Sequence, residues 1–202
     1  LDDAPMWLIV ANDVSEQRRL TERLSYQASH DSLTRLLNRR EFEARIADVL
    51  AGPDGRSGAL LFVDLDQFKL INDTSGHRAG DELLVQLAAL MREKLRPDDI
   101  LGRLGGDEFG VLLRGLRTTE AASQAAERLR RSVEGYSFSW EQRTYTTSAS
   151  IGAVMLAGAS SLKELFARAD AACYLAKEGG RNRVHFFSED DAAVTTRLTE
   201  ME

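Results

Sequence analysis

The run Leu101-Gly-Arg-Leu-Gly-Gly-Asp-Glu-Phe-Gly-Val-Leu-Leu113 constrains the fold more than any other part of the chain. Leucines and Val111 on either side of Gly105-Gly106-Asp107-Glu108 predict a β-hairpin with buried strands, because paired glycines admit turn angles that side-chained residues resist. Its tip is acidic. Carboxylates beside glycines, where backbone can approach a ligand closely, point to metal-bound phosphate; an ordinary hairpin with a solvated acidic turn needs no ligand. The other motifs decide between these readings.

At 202 residues, 43% hydrophobic and 29% charged, the chain suffices for one full domain of strands and helices plus an appendage. A net charge of −6 and a pI near 5.2 argue against nonspecific binding of nucleic-acid polymers, which takes a basic face. Any bound nucleotide is therefore expected to be small and metal-chelated. Cys173 has no second cysteine to pair with, which fits a reducing, cytoplasmic setting. Met6 to Ala11, the longest early apolar run, is far short of the roughly 20 residues of a membrane helix. No cleavable leader pattern precedes it. Because the chain begins at Leu1, it is expected to be a piece of a longer protein, whose anchoring to a membrane stays open.

Taken in order, Trp7 to Ala11 reads as a short strand and Asn12 to Ser15 as its exit and a helix cap. From Glu16 to about His30 the period is helical, with Leu20, Leu24 and Gln27 or Ala28 on one stripe: a coiled-coil connector, or a helix lying on its own domain. Asp31 to Phe42 is a turn feeding a helix that runs to about Leu50. Ala59 to Val63 has the unbroken apolar character of a central strand covered on both faces. Asp64 and Asp66 stand at its exit, where α/β sheets place ligand groups and where carboxylates are costly unless paired or metal-bound. Gly80-Asp81 is expected to open an amphipathic helix that Pro97 stops, and Thr118 or Thr119 to cap another ending near Val133. Tyr136 to Trp140 and Arg143 to Thr147 flank Glu141-Gln142 as a second hairpin. Ser148 to Leu156 continues as strand, Ser161 begins the last helix, and Val184 to Phe187 is a closing strand.

This order, with acids at a strand end and a hairpin tip, resembles the nucleotidyl-cyclase and polymerase-palm arrangement. The fold expected is α+β: a mostly antiparallel central sheet flanked by helices, with an N-terminal connector helix. More specifically, the chain from about Ala28 to Phe187 resembles the GGDEF family of diguanylate cyclases, which condense two GTP into cyclic di-GMP. The family signature stands unaltered at Gly105 to Phe109. The stretch Asp31-Ser-Leu-Thr-Arg-Leu-Leu-Asn-Arg-Arg40 matches the family's entry motif except at Arg35, where glycine is usual.

The resemblance implies that Asp64, Asp107 and the main-chain carbonyl of Leu65 hold Mg²⁺, or Mn²⁺, with Glu108 in support. Asp107 would accept the 3′-hydroxyl proton as general base, or metal coordination of that hydroxyl would activate it in its place. It also implies that Asn72 and Asp81 read guanine, that Lys69, Lys177 and Arg181 bind phosphate, and that Phe68 and His77 accompany the substrate. Two GTP half-sites must meet in a homodimer. Arg96-Pro-Asp-Asp99, at its fixed distance before Gly105, matches the family's inhibitory product site. There a guanidinium would grip guanine or phosphate and a carboxylate would receive guanine N–H groups. A second arginine, Arg128 or Arg131, would complete it.

Leu8 to Gln17 is similar to the last strand and exit of a PAS sensor domain, and Thr195 to Glu202 to the linker of an EAL phosphodiesterase domain. The organisation expected is a sensor end and connector over 1–29, a catalytic domain over 30–188 and a tail over 189–202. An active cyclase is the leading reading. The alternative is a catalytically silent module that binds GTP or cyclic di-GMP and regulates a fused domain such as an EAL phosphodiesterase. The complete acidic set favours the first, since a pure receptor has no need of it.

Overall fold

The computed structural model describes residues 15–53, 57–159 and 161–192. The strand expected at Trp7 to Ala11, most of the PAS-like stretch and the EAL-linker-like tail lie outside these residues. The elements are α1 (Ser15–Ser29), β1 (Leu37–Asn38), α2 (Arg39–Ala51), β2 (Gly58–Asp66), α3 (Phe68–Ser75) and α4 (His77–Lys94). Then come β3 (Ile100–Gly105), β4 (Glu108–Arg114), α5 (Thr119–Glu134), β5 (Ser137–Trp140), β6 (Arg143–Thr146), β7 (Ser148–Met155), α6 (Leu162–Glu178) and β8 (Val184–Phe186). One sheet runs β1-β3-β4-β2-β7-β8, antiparallel through its middle and parallel at both edges. The fold is α+β, as expected.

Alternation along β2 assigns the two faces of the sheet. Leu61, Val63 and Leu65 enter a core with Leu83, Leu87 and Met91 of α4 and Leu129 and Val133 of α5. Leu60 joins Phe42 and Ile46 of α2 and Leu165 and Ala169 of α6 on the other side. Asp64 and Asp66 share the parity of Leu60, so both face α6. A one-residue slip would turn Asp64 and Asp66 into the apolar core beneath α4 and α5, where an unpaired charge is costly, and this fixes the register that aims Asp64.

The helix ends are largely those the sequence announces. Asn38, Thr118 and Ser161 each accept a backbone N–H from the first turn of α2, α5 and α6. α4 departs from expectation at its start. It begins at His77 because Gly76, at φ 82, separates it from α3. It ends at Lys94, ahead of Pro97, where the Arg92 side chain reaches back to the carbonyls of Asp99 and Arg96. β1, two residues paired parallel to β3, falls within what the sequence reads as a turn. Arg35 adopts φ 62, the left-handed region that glycine enters freely and other residues at a cost of about 1–2 kcal/mol. Leu20 and Leu24 on α1 are 52% and 65% exposed, so no described part of the chain covers that stripe. No helix among the described residues is long and apolar enough to cross a membrane.

Candidate active site

The hairpin bends at Gly106, whose φ of 50 is left-handed, and nothing lies within 4 Å of where a side chain would start at Gly105 or Gly106. The tip's backbone is therefore open to a ligand. Arg103 holds its shape: Nε and Nη2 donate to the Gly106 carbonyl at 3.0 and 2.8 Å, and Nη1 donates to Asp31 at 3.1 and 3.2 Å. Asp31 also accepts the backbone N–H and hydroxyl of Thr34 at 2.8 and 2.7 Å. Burial opposes ionisation of Asp31, but the bonds from Thr34 and Arg103 prevail and hold its carboxyl below the ordinary value. Arg39 adds a bond from Nε to the Leu104 carbonyl at 3.1 Å. The entry motif is thus a brace for the acidic tip.

Asp64 and Glu108 are directly paired residues of β2 and β4, and Leu65 N–H donates to the Asp107 carbonyl at 3.3 Å. Register alone therefore gathers three carboxylates at one strand end. Lys177 of α6 lies 2.6 Å from Asp64, and Arg39 lies 3.6 Å from Glu108. Burial raises the Asp64 carboxyl above its ordinary value; Lys177 opposes this, and the charges of Asp107 and Glu108 add to it. Burial disfavours the Lys177 ammonium, yet its bond to Asp64 leaves it more firmly protonated than usual. A cavity of about 110 Å³, lined among others by Phe62, Asp64, Glu108, Tyr174 and Lys177, opens beside this pair.

A second group of expected residues sits where α3 meets α4. Phe68 and Asn72, one turn apart on α3, both lie against Gly80 of α4. A side-chain carbon there would stand 2.0 Å from Asn72 Oδ1 and 2.9 Å from the Phe68 ring. Asp81 follows on α4, and Lys69, His77 and Asp81 are all exposed. Arg181 is exposed just past the end of α6.

A third group lies at the end of β3 and β4 opposite the tip. Arg96, Asp99, Arg114 and Arg128 are among the residues lining a cavity of about 130 Å³ between the α4–β3 turn and α5. Arg131 instead pairs with Glu127 at 3.0 Å. Asp99 is buried, and its carboxylate accepts the backbone N–H of Arg96 at 2.9 Å and of Arg114 at 3.0 Å.

Two residues that shape these sites, Arg103 and Gly80, escape a reading of the sequence for ligand groups, and a third, Asp66, is read as one but is turned to a structural role. Arg103 is the one charged side chain between the apolar residues of β3, and that break in the pattern is the available clue. Gly80 looks like any helix-opening glycine. Asp66 reads as a twin of Asp64 but is 6% exposed and bonded to the hydroxyls of Ser148 and Ser150 at 2.6 and 2.7 Å.

Paired carboxylates at the end of a central antiparallel strand, with a cation delivered by the last helix, define a palm-like domain of the nucleotidyl-cyclase class. The family model described as diguanylate cyclase, GGDEF domain, matches residues 28–183, and the chain belongs to this family. The probable diguanylate cyclase DgcE of Escherichia coli K12 is 42% identical over 197 residues, covering 96% of this chain and 18% of DgcE. The cyclic di-GMP phosphodiesterase PdeB of Shewanella oneidensis is 34% identical over 189 residues, covering 93% of this chain and 22% of PdeB. The chain therefore spans about a fifth of the length of these relatives. Among solved structures, the coiled coil and GGDEF domain of DgcB from Caulobacter crescentus, in complex with c-di-GMP, superposes with a TM-score of 0.79 at 28% identity. The match covers 86% of this chain and 93% of that one.

Proposed function

We propose that this chain is an active diguanylate cyclase domain that joins two GTP into cyclic di-GMP and releases two pyrophosphates. The observation that carries this reading is the pairing of Asp64 with Glu108 across β2 and β4, beside Asp107 and within reach of Lys177. The candidate ligands are all oxygens, and burial, with the charges of Asp107 and Glu108 added to it, raises Asp64, an environment that a hard divalent cation relieves. As they stand, no three His, Cys, Asp or Glu side chains among the described residues surround one point. Asp64 is turned to Lys177 and Glu108 to Arg39, and both must rotate off these cations for the ion to enter. Asp64, Asp107 and the Leu65 carbonyl would hold Mg²⁺, or Mn²⁺, with Glu108 in support. Bound there, the ion supplies Lewis-acid polarisation of the α-phosphate.

The side chains do the rest. Asp107 accepts the 3′-hydroxyl proton. Lys177, freed from Asp64, joins Lys69 and Arg181 against the triphosphate charge. Asn72 and Asp81 offer an amide and a carboxylate to guanine's acceptor and donor edge, a pattern adenine does not match. Phe68 backs Asn72, and His77 opens the helix that carries Asp81. Each protomer presents one GTP, and two must meet for each 3′-oxygen to attack the other's α-phosphate in line. Residues 30–188 are the catalytic unit in this reading, 1–29 the sensor end and connector, and 189–202 the tail. Product inhibition at Arg96, Asp99 and Arg128 belongs to the same proposal.

The direct test is purified protein with GTP and Mg²⁺, analysed for cyclic dinucleotide. Formation of cyclic di-GMP from GTP, and no product from ATP, is the expected result. The resemblance to PdeB, named a phosphodiesterase, favours a second reading: a silent module that binds GTP or cyclic di-GMP and regulates a fused domain such as an EAL phosphodiesterase. Nucleotide binding without product would select it.

Two further results are expected. Specific activity rises with protein concentration until dimers form, and removal of residues 1–27 shifts that rise to higher concentration, because Leu20 and Leu24 are exposed for pairing. An identical curve for the truncated protein would move the dimer contact into the catalytic domain. Gly80→Ala displaces the Asn72 side chain, a flexible group that can yield without unfolding the helix pair. The cost of losing that bond to guanine is about ten-fold in KM for GTP, with weakened preference over ATP. Unchanged KM and selectivity would remove Asn72 from guanine recognition.

A further inference from the structure

The loop after α6 contains an arrangement that the roles above leave unused. Arg181 and Asn182 adopt φ of 61 and 47, left-handed angles that side-chained residues take up rarely and that persist only where the surroundings impose them. Asn182 is held from two sides. Its backbone N–H donates to Asp66 Oδ2 at 3.0 Å, and Asp66 is in turn fixed by Ser148 and Ser150 of β7. Its side-chain amide donates to Glu134 Oε1 of α5 at 2.6 Å, while its Oδ1 accepts from Arg130. Arg130 is 8% exposed and also bonds both carboxylate oxygens of Glu127, at 2.8 and 2.9 Å, and Glu134 at 3.0 Å. A buried guanidinium and a buried carboxylate thus converge on one asparagine, next to the arginine assigned to phosphate.

We infer that Asn182 is a positioning residue for Arg181. Clamped to β2 through Asp66 and to α5 through Glu134 and Arg130, it fixes the backbone from which the Arg181 guanidinium reaches the triphosphate. The inference rests on the cyclase reading for the role of Arg181. If Asn182 merely closed the turn between α6 and β8, its loss would change stability and leave nucleotide affinity alone.

The test is calorimetry with 3′-deoxy-GTP and Mg²⁺, since a nucleotide without the attacking hydroxyl reports binding apart from turnover. Asn182→Ala and Asn182→Gly should each weaken binding about ten-fold, the size of one lost charge-assisted contact. Glycine keeps the left-handed angles and lacks only the amide. An Asn182→Gly protein with the parent's affinity would therefore overturn the clamp. Arg181→Ala should weaken binding by a similar factor, and adding Asn182→Ala to it should cost nothing more, because one residue acts through the other. A full additional loss in the double variant also overturns the inference. Should Asn182→Ala fail to fold, Glu134→Ala, whose side chain is 47% exposed, takes its place, and unchanged affinity there has the same force. In turnover, the Asn182 variants should raise KM for GTP and hold kcat within about two-fold. A parent that binds 3′-deoxy-GTP but forms no cyclic di-GMP from GTP would sink the cyclase reading and leave the clamp standing; a parent that does not bind it would end both.

Discussion

Asp107→Ala is expected to abolish detectable formation of cyclic di-GMP, a loss of at least about 10²–10⁴-fold if general-base function alone is removed. The fold should survive. The bond that joins residue 107 to β2 is made by its backbone carbonyl to Leu65 N–H, and alanine keeps it. The tip is shaped by Gly106 and by Arg103 braced on Asp31, which the substitution does not touch. Circular dichroism and thermal unfolding should match the parent while cyclic dinucleotide disappears from the chromatogram. Near-normal turnover in this variant would show that the base and the metal ligand lie elsewhere. Asp64→Ala should give a similar loss with a larger structural penalty, because Lys177 would be left half-buried without its partner at 2.6 Å.

The hairpin, the central strand and the helices were legible because their signals are local. Val111 and the flanking leucines mark strands, Gly105-Gly106 marks the turn, and Thr118 and Ser161 stand where helices start. The gathering of Asp64, Asp107 and Glu108 was legible through the resemblance, and the pairing of β2 with β4 explains it physically. What stayed hidden is long-range. Arg103 reaches Asp31 across 72 positions and Asn182 reaches Asp66 across 116, separations at which no periodicity links two residues. β1 is too short to show an alternation, and the start of α4 depends on the angle at Gly76, which residue type alone leaves free. Arg35 is the reverse case: its departure from the family's glycine falls on a left-handed residue, so the usual glycine has a backbone reason.

Arg96→Ala is expected to weaken cyclic di-GMP binding by about 10–100-fold while leaving early GTP turnover unchanged, the range for loss of a charge-assisted contact. The motif admits a plainer role, that Arg96 and Asp99 only close the turn between α4 and β3, and the structure separates the two functions. The turn is closed by Asp99, whose carboxylate accepts the N–H groups of Arg96 and Arg114, and by Arg92, which bonds the carbonyls of Arg96 and Asp99. Where these contacts involve residue 96 they use only its backbone N–H and carbonyl, and the others bypass it, so alanine retains them all and removes only an exposed guanidinium from the cavity shared with Arg128. Asp99→Ala is a different experiment. It strands two N–H groups around a buried site and should cost about 1–3 kcal/mol of stability for each that finds no water, in addition to any effect on product. Arg96→Ala is therefore the clean probe, with Arg128→Ala as its companion. In both, the progress curve should stop flattening early, since a second site favouring the unproductive arrangement has been weakened. Unchanged product affinity in both arginine variants would assign this cavity to the turn alone and leave feedback without a site on this face.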